Sequence, residues 1–215
     1  MASINRHSRL PVLLAVAVAA AGAVLAADVK FLSTFKSIDA GTVTFFGKKV
    51  AALVITTDQG LRVSGEEALV RELGTLGMQG VATYRIAPQQ ELENAEKAKP
   101  WFERAGVEGV VALRPVKKDA RTNYSPIMWN DPYYSSLWGY YGYGWTQAYQ
   151  YGVYTRETVI VVENAVYSVP KNELMWAAVT ESTEAKNLQK FIGELVKATV
   201  KEMQKQGLAK GQPKK

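Results

Sequence analysis

The chain contains no cysteine and a single histidine, His7. Without cysteine it can form no disulfide, no thiolate metal site and no lipid-modified cysteine. His7 lies close to the N-terminus. The chain beyond it therefore contains neither histidine nor cysteine. This excludes Ser-His-Asp and Cys-His nucleophilic sites there, together with the usual zinc sites. The sequence therefore predicts a protein that is not an enzyme and that carries no cofactor and no metal.

Carboxylate chemistry is the enzyme class that this composition leaves open. A glycosidase needs two Asp or Glu side chains about 5–10 Å apart. The candidates are Asp131, Glu157 and Glu163, which sequence alone does not pair. Glu157 and Glu163 are more simply interpreted as surface positions on strands. A carboxylate-dependent enzyme that modifies the cell wall is therefore the alternative hypothesis.

The N-terminal residues carry positive charge and no acid, and an uncharged apolar run follows. Arg6 and Arg9 precede the run Leu10–Ala27, which contains the small-x-small pattern at residues 24–26. These features predict a secretory signal peptide over residues 1–26. An uncleaved membrane anchor is the alternative, because a spanning helix needs at least about 17 apolar residues. We expect an exported protein of the periplasm or envelope, and nucleic acid is not an expected partner.

The pattern of the remaining chain predicts a single α/β domain over residues 27–207. Apolar β-branched runs predict strands at 48–57, 81–86 and 107–116, and helical patterns separate them at 64–76 and 88–105. Strands that alternate with helices indicate a parallel core with right-handed crossovers.

The C-terminal half predicts a β-meander and a closing helix. The strands are expected at 154–168 and 174–180 with a turn at 170–172, and an amphipathic helix is expected at 183–206. The predicted fold is a mixed sheet of about five to six strands with three helices and a long Tyr/Trp/Gly-rich insertion.

Two local signals refine the helix boundaries and the tail. Ser64 followed by Glu67 matches a capping box, which predicts the start of the first helix, and Pro100 is expected to kink or restart the second helix. Residues 208–215 form a basic tail, whose lysines are expected to be solvated at the end of a helix. Contact with an anionic surface is the alternative interpretation of this tail.

Aromatic residues are concentrated in one segment, residues 124–151. Tyr124 to Tyr154 holds nine of the eleven tyrosines and three of the five tryptophans, interleaved with glycine. Glycine and proline interrupt regular structure, so the segment is predicted to be a long loop. Tyrosine and tryptophan combine a flat apolar face with a polar group, which suits a binding surface. The candidate partner-binding residues are Trp129, Tyr133, Tyr134, Trp138, Tyr140, Tyr141, Tyr143, Trp145, Tyr149 and Tyr151.

Three partner classes fit these side chains. Sugar rings of peptidoglycan stack on aromatic faces, an envelope protein buries them as hot spots, and a membrane interface holds them in an aromatic belt. The structural alternatives are a segment that packs its rings on the sheet and a low-complexity, mobile loop. The leading hypothesis is a non-catalytic binding or assembly module of the envelope.

The order of these patterns is similar to that of a known group of proteins. EEALVRELGTLG at 66–77, AGVEGVVALRPV at 105–116 and ELMWAAVTEST at 173–183 carry the resemblance, which covers most of residues 45–207. The chain resembles uncharacterised bacterial envelope proteins, many of them lipoproteins, grouped as a domain of unknown function. Its strand-helix order also resembles the amino-terminal domain of TolB and outer-membrane activators of penicillin-binding proteins. The resemblance implies an envelope location but supplies no activity and no site residues. The absence of a lipobox cysteine favours a free periplasmic protein.

Overall fold

A computed structural model describes residues 29–116, 126–151, 159–183 and 188–208. The strands are β1 (Val29–Lys36), β2 (Lys49–Val54), β3 (Gln79–Ala82), β4 (Gly109–Val116), β5 (Val159–Ser168) and β6 (Glu173–Thr183). The helices are α1 (Gln59–Thr75), α2 (Thr83–Ile86), α3 (Gln89–Leu92), α4 (Ala95–Arg104), α5 (Pro132–Ser135), α6 (Leu137–Tyr151) and α7 (Leu188–Lys205). Two 3-10 segments, Ile38–Thr42 and Pro126–Asn130, complete the described elements. The predicted signal peptide, residues 1–26, lies outside the described residues, as does the predicted basic tail beyond Leu208.

The six strands form one mixed sheet in the order β1-β6-β5-β4-β2-β3. β2 pairs in parallel with β3 and β4, whereas the pairs β4–β5, β5–β6 and β6–β1 are antiparallel. The predicted α/β class and mixed sheet are therefore confirmed. The edge strand β1 was not predicted, because its exposed and half-buried positions do not alternate regularly.

Helices cover both faces of the sheet. Successive strand residues point to opposite faces, so in β2 Val54 joins one buried core and Leu53 joins the other. The first core includes Leu69 of α1 and Leu195 of α7. The second includes Phe102 of α4 and several aromatic residues of α6. We call these the first and second faces of the sheet.

Two predicted helix features differ from the structure. α1 begins at Gln59, and the Asp58 carboxylate accepts a hydrogen bond from the Leu61 amide at 2.9 Å as its N-cap. Ser64 lies inside α1, so the capping-box prediction is wrong. Pro100 lies within the continuous helix α4, and the break comes earlier, where Asn94 caps α4 by accepting from the Lys97 amide.

The second predicted strand is shorter than expected. β3 ends at Ala82, and residues 83–86 turn into α2. The Glu66 carboxylate accepts hydrogen bonds from the Thr83 hydroxyl and, at 3.0 Å, from the Tyr84 amide. These bonds give the Thr83 hydroxyl and the Tyr84 amide an acceptor where the strand has ended.

The prediction of a long loop at 124–151 is wrong over its described part, residues 126–151. The 3-10 segment, α5 and α6 occupy these residues almost continuously. With the short helices α2 and α3, they bring the described α-helices to seven, where three were predicted.

No helix in the described ranges combines the length and apolar character that crossing a bilayer requires.

Candidate functional site

The predicted partner-binding residues divide by exposure. Four are buried, namely Trp129, Tyr140, Tyr141 and Trp145. Tyr134, Trp138 and Tyr143 are half-buried. Tyr133 and Tyr149 are 61% and 57% exposed. The side chain of Tyr151 lies outside the described residues. The buried four cannot contact a partner in this structure, so the partner-binding prediction concerns the exposed and half-buried members.

Glycine allows α6 to approach both the sheet and α5 closely. A Cβ on Gly144 would lie 2.8 Å from Cδ1 of Ile55 and 3.3 Å from Cδ of Arg114. A Cβ on Gly139 would lie 2.8 Å from the Pro132 carbonyl oxygen. Helix formation in a glycine-rich sequence is unfavourable by itself, so packing of its aromatic side chains on the second face must stabilise α6.

A buried ion pair lies beneath α6. Arg114 of β4 and Glu163 of β5 are register partners in the antiparallel pair. Nε and Nη2 of Arg114 donate to Oε2 of Glu163 at 3.0 and 2.7 Å. Both residues are at least 95% buried. Burial is the largest influence and lowers the pKa of Arg114, but the Glu163 carboxylate together with Tyr140 and Tyr134 outweighs it and raises this pKa above its usual value, so Arg114 remains charged.

Two tyrosine hydroxyls also donate hydrogen bonds to Glu163. Tyr134 donates to Oε1 at 3.3 Å and Tyr140 donates to Oε2 at 3.1 Å. The Tyr167 hydroxyl donates to the Tyr134 carbonyl oxygen at 2.8 Å. Burial, followed by the nearby Glu163 charge, raises the pKa of Tyr140 well above its usual value. The hydroxyl therefore keeps its proton and remains a donor.

The ion pair supports an aromatic surface. The guanidinium of Arg114 lies 5.2 Å from the ring centroid of Tyr143, a distance typical of cation–π attraction. Tyr143 contacts Tyr133 and Tyr134, with ring centroids 5.7 and 5.5 Å apart. We call Tyr133, Tyr134 and Tyr143 the tyrosine platform. Its exposed end is the Tyr133 ring, which is inclined by 31° to the Tyr143 ring.

A second buried charge cluster lies where the parallel strands end. Oε1 of Glu66 accepts from Nε of Arg62 at 3.2 Å and from the Val54 amide at 3.3 Å. Burial is the largest influence on Glu66 and raises its pKa above 4.5. The guanidinium of Arg62 lies 5.3 Å from the Trp145 ring centroid. Sequence reasoning missed this cluster. The spacing of four residues between Arg62 and Glu66 was the available signal, but it also describes ordinary surface pairs.

The acids considered for catalysis have structural roles or lie outside the described part of the chain. Glu163 is bound by Arg114, and its predicted place on the surface is wrong because it is 3% exposed. The Asp131 carboxylate accepts from the Tyr133 amide at 2.9 Å and caps α5. Glu157 lies outside the described residues. Across the residues that the structure describes, no group of three or more His, Cys, Asp or Glu side chains is arranged to hold a metal ion.

Comparison with known proteins finds similar solved structures at low identity. The chain is similar to the PelC dodecamer from Paraburkholderia phytofirmans, with 14% identity, a TM-score of 0.45, and coverage of 83% of this chain and 97% of that chain. It is also similar to a substituted form of PelC from the same organism, with 12% identity, a TM-score of 0.41, and coverage of 80% and 96%. No protein-family model matches the chain. No curated protein matches it.

Proposed function

We propose that this protein is an exported, non-catalytic binding module of the cell envelope, and that its tyrosine platform contacts the wall polymer. The observation that carries the proposal is the exposure of Tyr133, 61% of whose surface is accessible while its ring packs on Tyr143. An accessible aromatic ring held by a second ring offers a flat apolar face to a sugar ring.

The buried groups below the platform support this role by keeping it rigid. Tyr134 is held by its hydrogen bond to Glu163, and Tyr143 is held by the charge of Arg114. A surface that is already ordered loses little conformational entropy when it binds. The platform is therefore suited to binding without a change of shape.

Export is supported by the N-terminal sequence, whose positive, apolar and small-residue parts match a secretory signal peptide over residues 1–26. A non-catalytic role is supported by the single histidine, which lies within that segment. The alternative enzyme hypothesis is not favoured by Glu163, because the Arg114 charge and two tyrosine hydroxyls bind its carboxylate.

Co-sedimentation with isolated peptidoglycan sacculi tests the proposal. We expect the native protein to pellet, and we expect Tyr133→Ser, with or without Tyr143→Ser, to weaken binding about ten-fold through loss of the aromatic contact. Ile38→Ser is the matched control, because Ile38 is fully exposed and lies outside α5 and α6. Urea unfolding of each variant separates lost binding from lost folding.

Failure of the native protein to pellet would overturn the wall-polymer proposal. A photo-crosslinking residue at position 133 would then test the other partner class. Crosslinking to an envelope protein would identify the same surface as a protein-binding site.

A further inference from the structure

The carboxyl ends of the parallel strands β2 and β4 lie at the same edge of the sheet. β2 leads into α1, which packs on the first face. The next described element after β4 is the 3-10 segment Pro126–Asn130, whose Trp129 packs on the second face. In open α/β sheets, ligands bind outside the carboxyl ends of the strands, between elements that pack on opposite faces.

Arg62 spans this edge. It belongs to α1 on the first face, yet its guanidinium lies 5.3 Å from the ring centroid of Trp145, which belongs to the second face. Gly144, beside Trp145, approaches both Ile55 after β2 and Arg114 of β4. The guanidinium therefore lies beyond the strand ends, between the two helical layers. Arg62 is only 3% exposed.

The hydrogen bonding of Arg62 is incomplete. Nε donates to Oε1 of Glu66, but Nη2 is buried and finds no acceptor among the described residues. The Trp145 indole nitrogen is likewise buried and makes no hydrogen bond with the described groups. An unpaired buried donor is unfavourable, most of all on a charged group. The edge thus holds two donors that an oxygen-rich ligand would satisfy.

Tyr149 and Glu93 form the outer side of this position. The Tyr149 ring lies 6.3 Å from the Trp145 ring, centroid to centroid. Hydrogen bonding to the Glu93 carboxylate is the main reason that the pKa of Tyr149 is raised to about 12. Tyr149 is 57% exposed, so its ring is accessible to a ligand.

We propose that this edge is a saccharide subsite, which binds one neutral sugar unit of the wall polymer. A sugar oxygen accepts from Nη2 of Arg62, a sugar hydroxyl donates to Glu93, and the sugar ring packs on Tyr149. Glu66 and Glu93 lie beside the subsite and Asp58 caps the adjoining start of α1. These carboxylates favour a neutral polyhydroxyl ligand over an anion. The inference rests on the proposed wall-binding function.

The test is an NMR titration of the ¹⁵N-labelled full chain with the tetramer of N-acetylglucosamine. We expect shifts of the Arg62 Nε–H and Trp145 indole signals. The Trp176 indole is the internal control, because it is also buried and lacks a partner among the described groups but lies in the first core. Tyr149→Ala should weaken binding about ten-fold without unfolding the protein, since most of the ring is exposed. Arg62→Lys should weaken it at least as much, because lysine lacks the planar fork of donors.

Absence of shifts at Arg62 and Trp145 would overturn the subsite, as would the same shifts with inorganic phosphate, which would identify an anion site. Co-sedimentation with sacculi distinguishes failure of the subsite from failure of the proposed wall-binding function. If pelleting depends on Tyr133 but the tetramer induces no shifts, the subsite is overturned and the proposed role of the tyrosine platform stands. Shifts without pelleting would support the subsite and overturn polymer binding by the platform.

Discussion

Two nitrogens of Arg114 donate to one oxygen of Glu163, across the antiparallel pair of β4 and β5. The other Glu163 oxygen is left for the Tyr134 hydroxyl. This division links the sheet to α5 through a single carboxylate. It also places a full positive charge beneath Tyr143, the central ring of the tyrosine platform.

The Arg114–Glu163 pair predicts a strongly non-additive mutant cycle. Arg114→Met and Glu163→Leu should each lower the free energy of unfolding by about 3–5 kcal/mol, because each leaves an unpaired buried charge. The double variant should be less destabilised than the sum of the two, since it leaves neither charge. Urea unfolding of the four proteins measures the coupling, and additive losses would contradict the role assigned to the pair.

Two glycines of α6 predict opposite effects of the same substitution. Gly144→Ala should destabilise the protein by about 1–3 kcal/mol, because the new methyl group would overlap Ile55 in a packed core. Gly142→Ala should stabilise it by up to about 1 kcal/mol through helix propensity. The nearest atom to a Cβ at Gly142 is Cβ of Ala95 at 3.8 Å, which is ordinary contact. Thermal unfolding of both variants checks the prediction, and equal effects would contradict the close approach at Gly144.

The parallel strands β2 and β4 could be predicted from the sequence because they are buried on both faces. Such strands have continuous apolar runs, as in residues 50–55, which are easy to distinguish from helices when glycines flank them, here Gly47 and Gly60. α6 could not be predicted in the same way. Its local composition argues for a loop, and the reason for Gly144 is visible only once Ile55 of the distant sheet is placed against it.

The buried charges were also beyond sequence reasoning. Glu163 lies in an apolar strand, where a single acid is normally interpreted as a surface position. Its burial depends on the β4–β5 register, which places Arg114 opposite it. The prediction of an aromatic binding segment is narrowed by the fold to its exposed members, Tyr133 and Tyr149 foremost. Whether these residues bind a partner stays a prediction.

The observed N-cap of α1 predicts unequal effects at two polar residues. Asp58→Ala should lower the free energy of unfolding by about 1 kcal/mol, because the Leu61 amide loses its acceptor. Ser64→Ala should change it by no more than about 0.5 kcal/mol, since Ser64 lies inside the helix. Chemical denaturation of the two variants compares these positions. A larger loss at Ser64 would indicate that the helix starts at the capping box.

The raised pKa of Glu66 predicts that the free energy of unfolding depends on pH. Burial raises its pKa above the unfolded value of 4.5 and outweighs the opposing effects of the Thr83 hydroxyl and the Arg62 charge. The folded protein therefore binds this proton more tightly than the unfolded chain does. The contribution of Glu66 to the free energy of unfolding should fall as the pH rises from about 4.5 toward the folded pKa.

Comparison with Glu66→Gln isolates this contribution, because glutamine fills the same volume and does not titrate. The free energy of unfolding of the native protein, minus that of the variant, should decrease as the pH rises through this window. Urea denaturation at intervals from about pH 4 to about pH 8 measures the difference. A difference that increases with pH would mean that Arg62 and the surrounding donors stabilise the carboxylate more than burial destabilises it. Arg62 would then be held as a tight ion pair, and its Nη2 donor would be less available to a sugar oxygen.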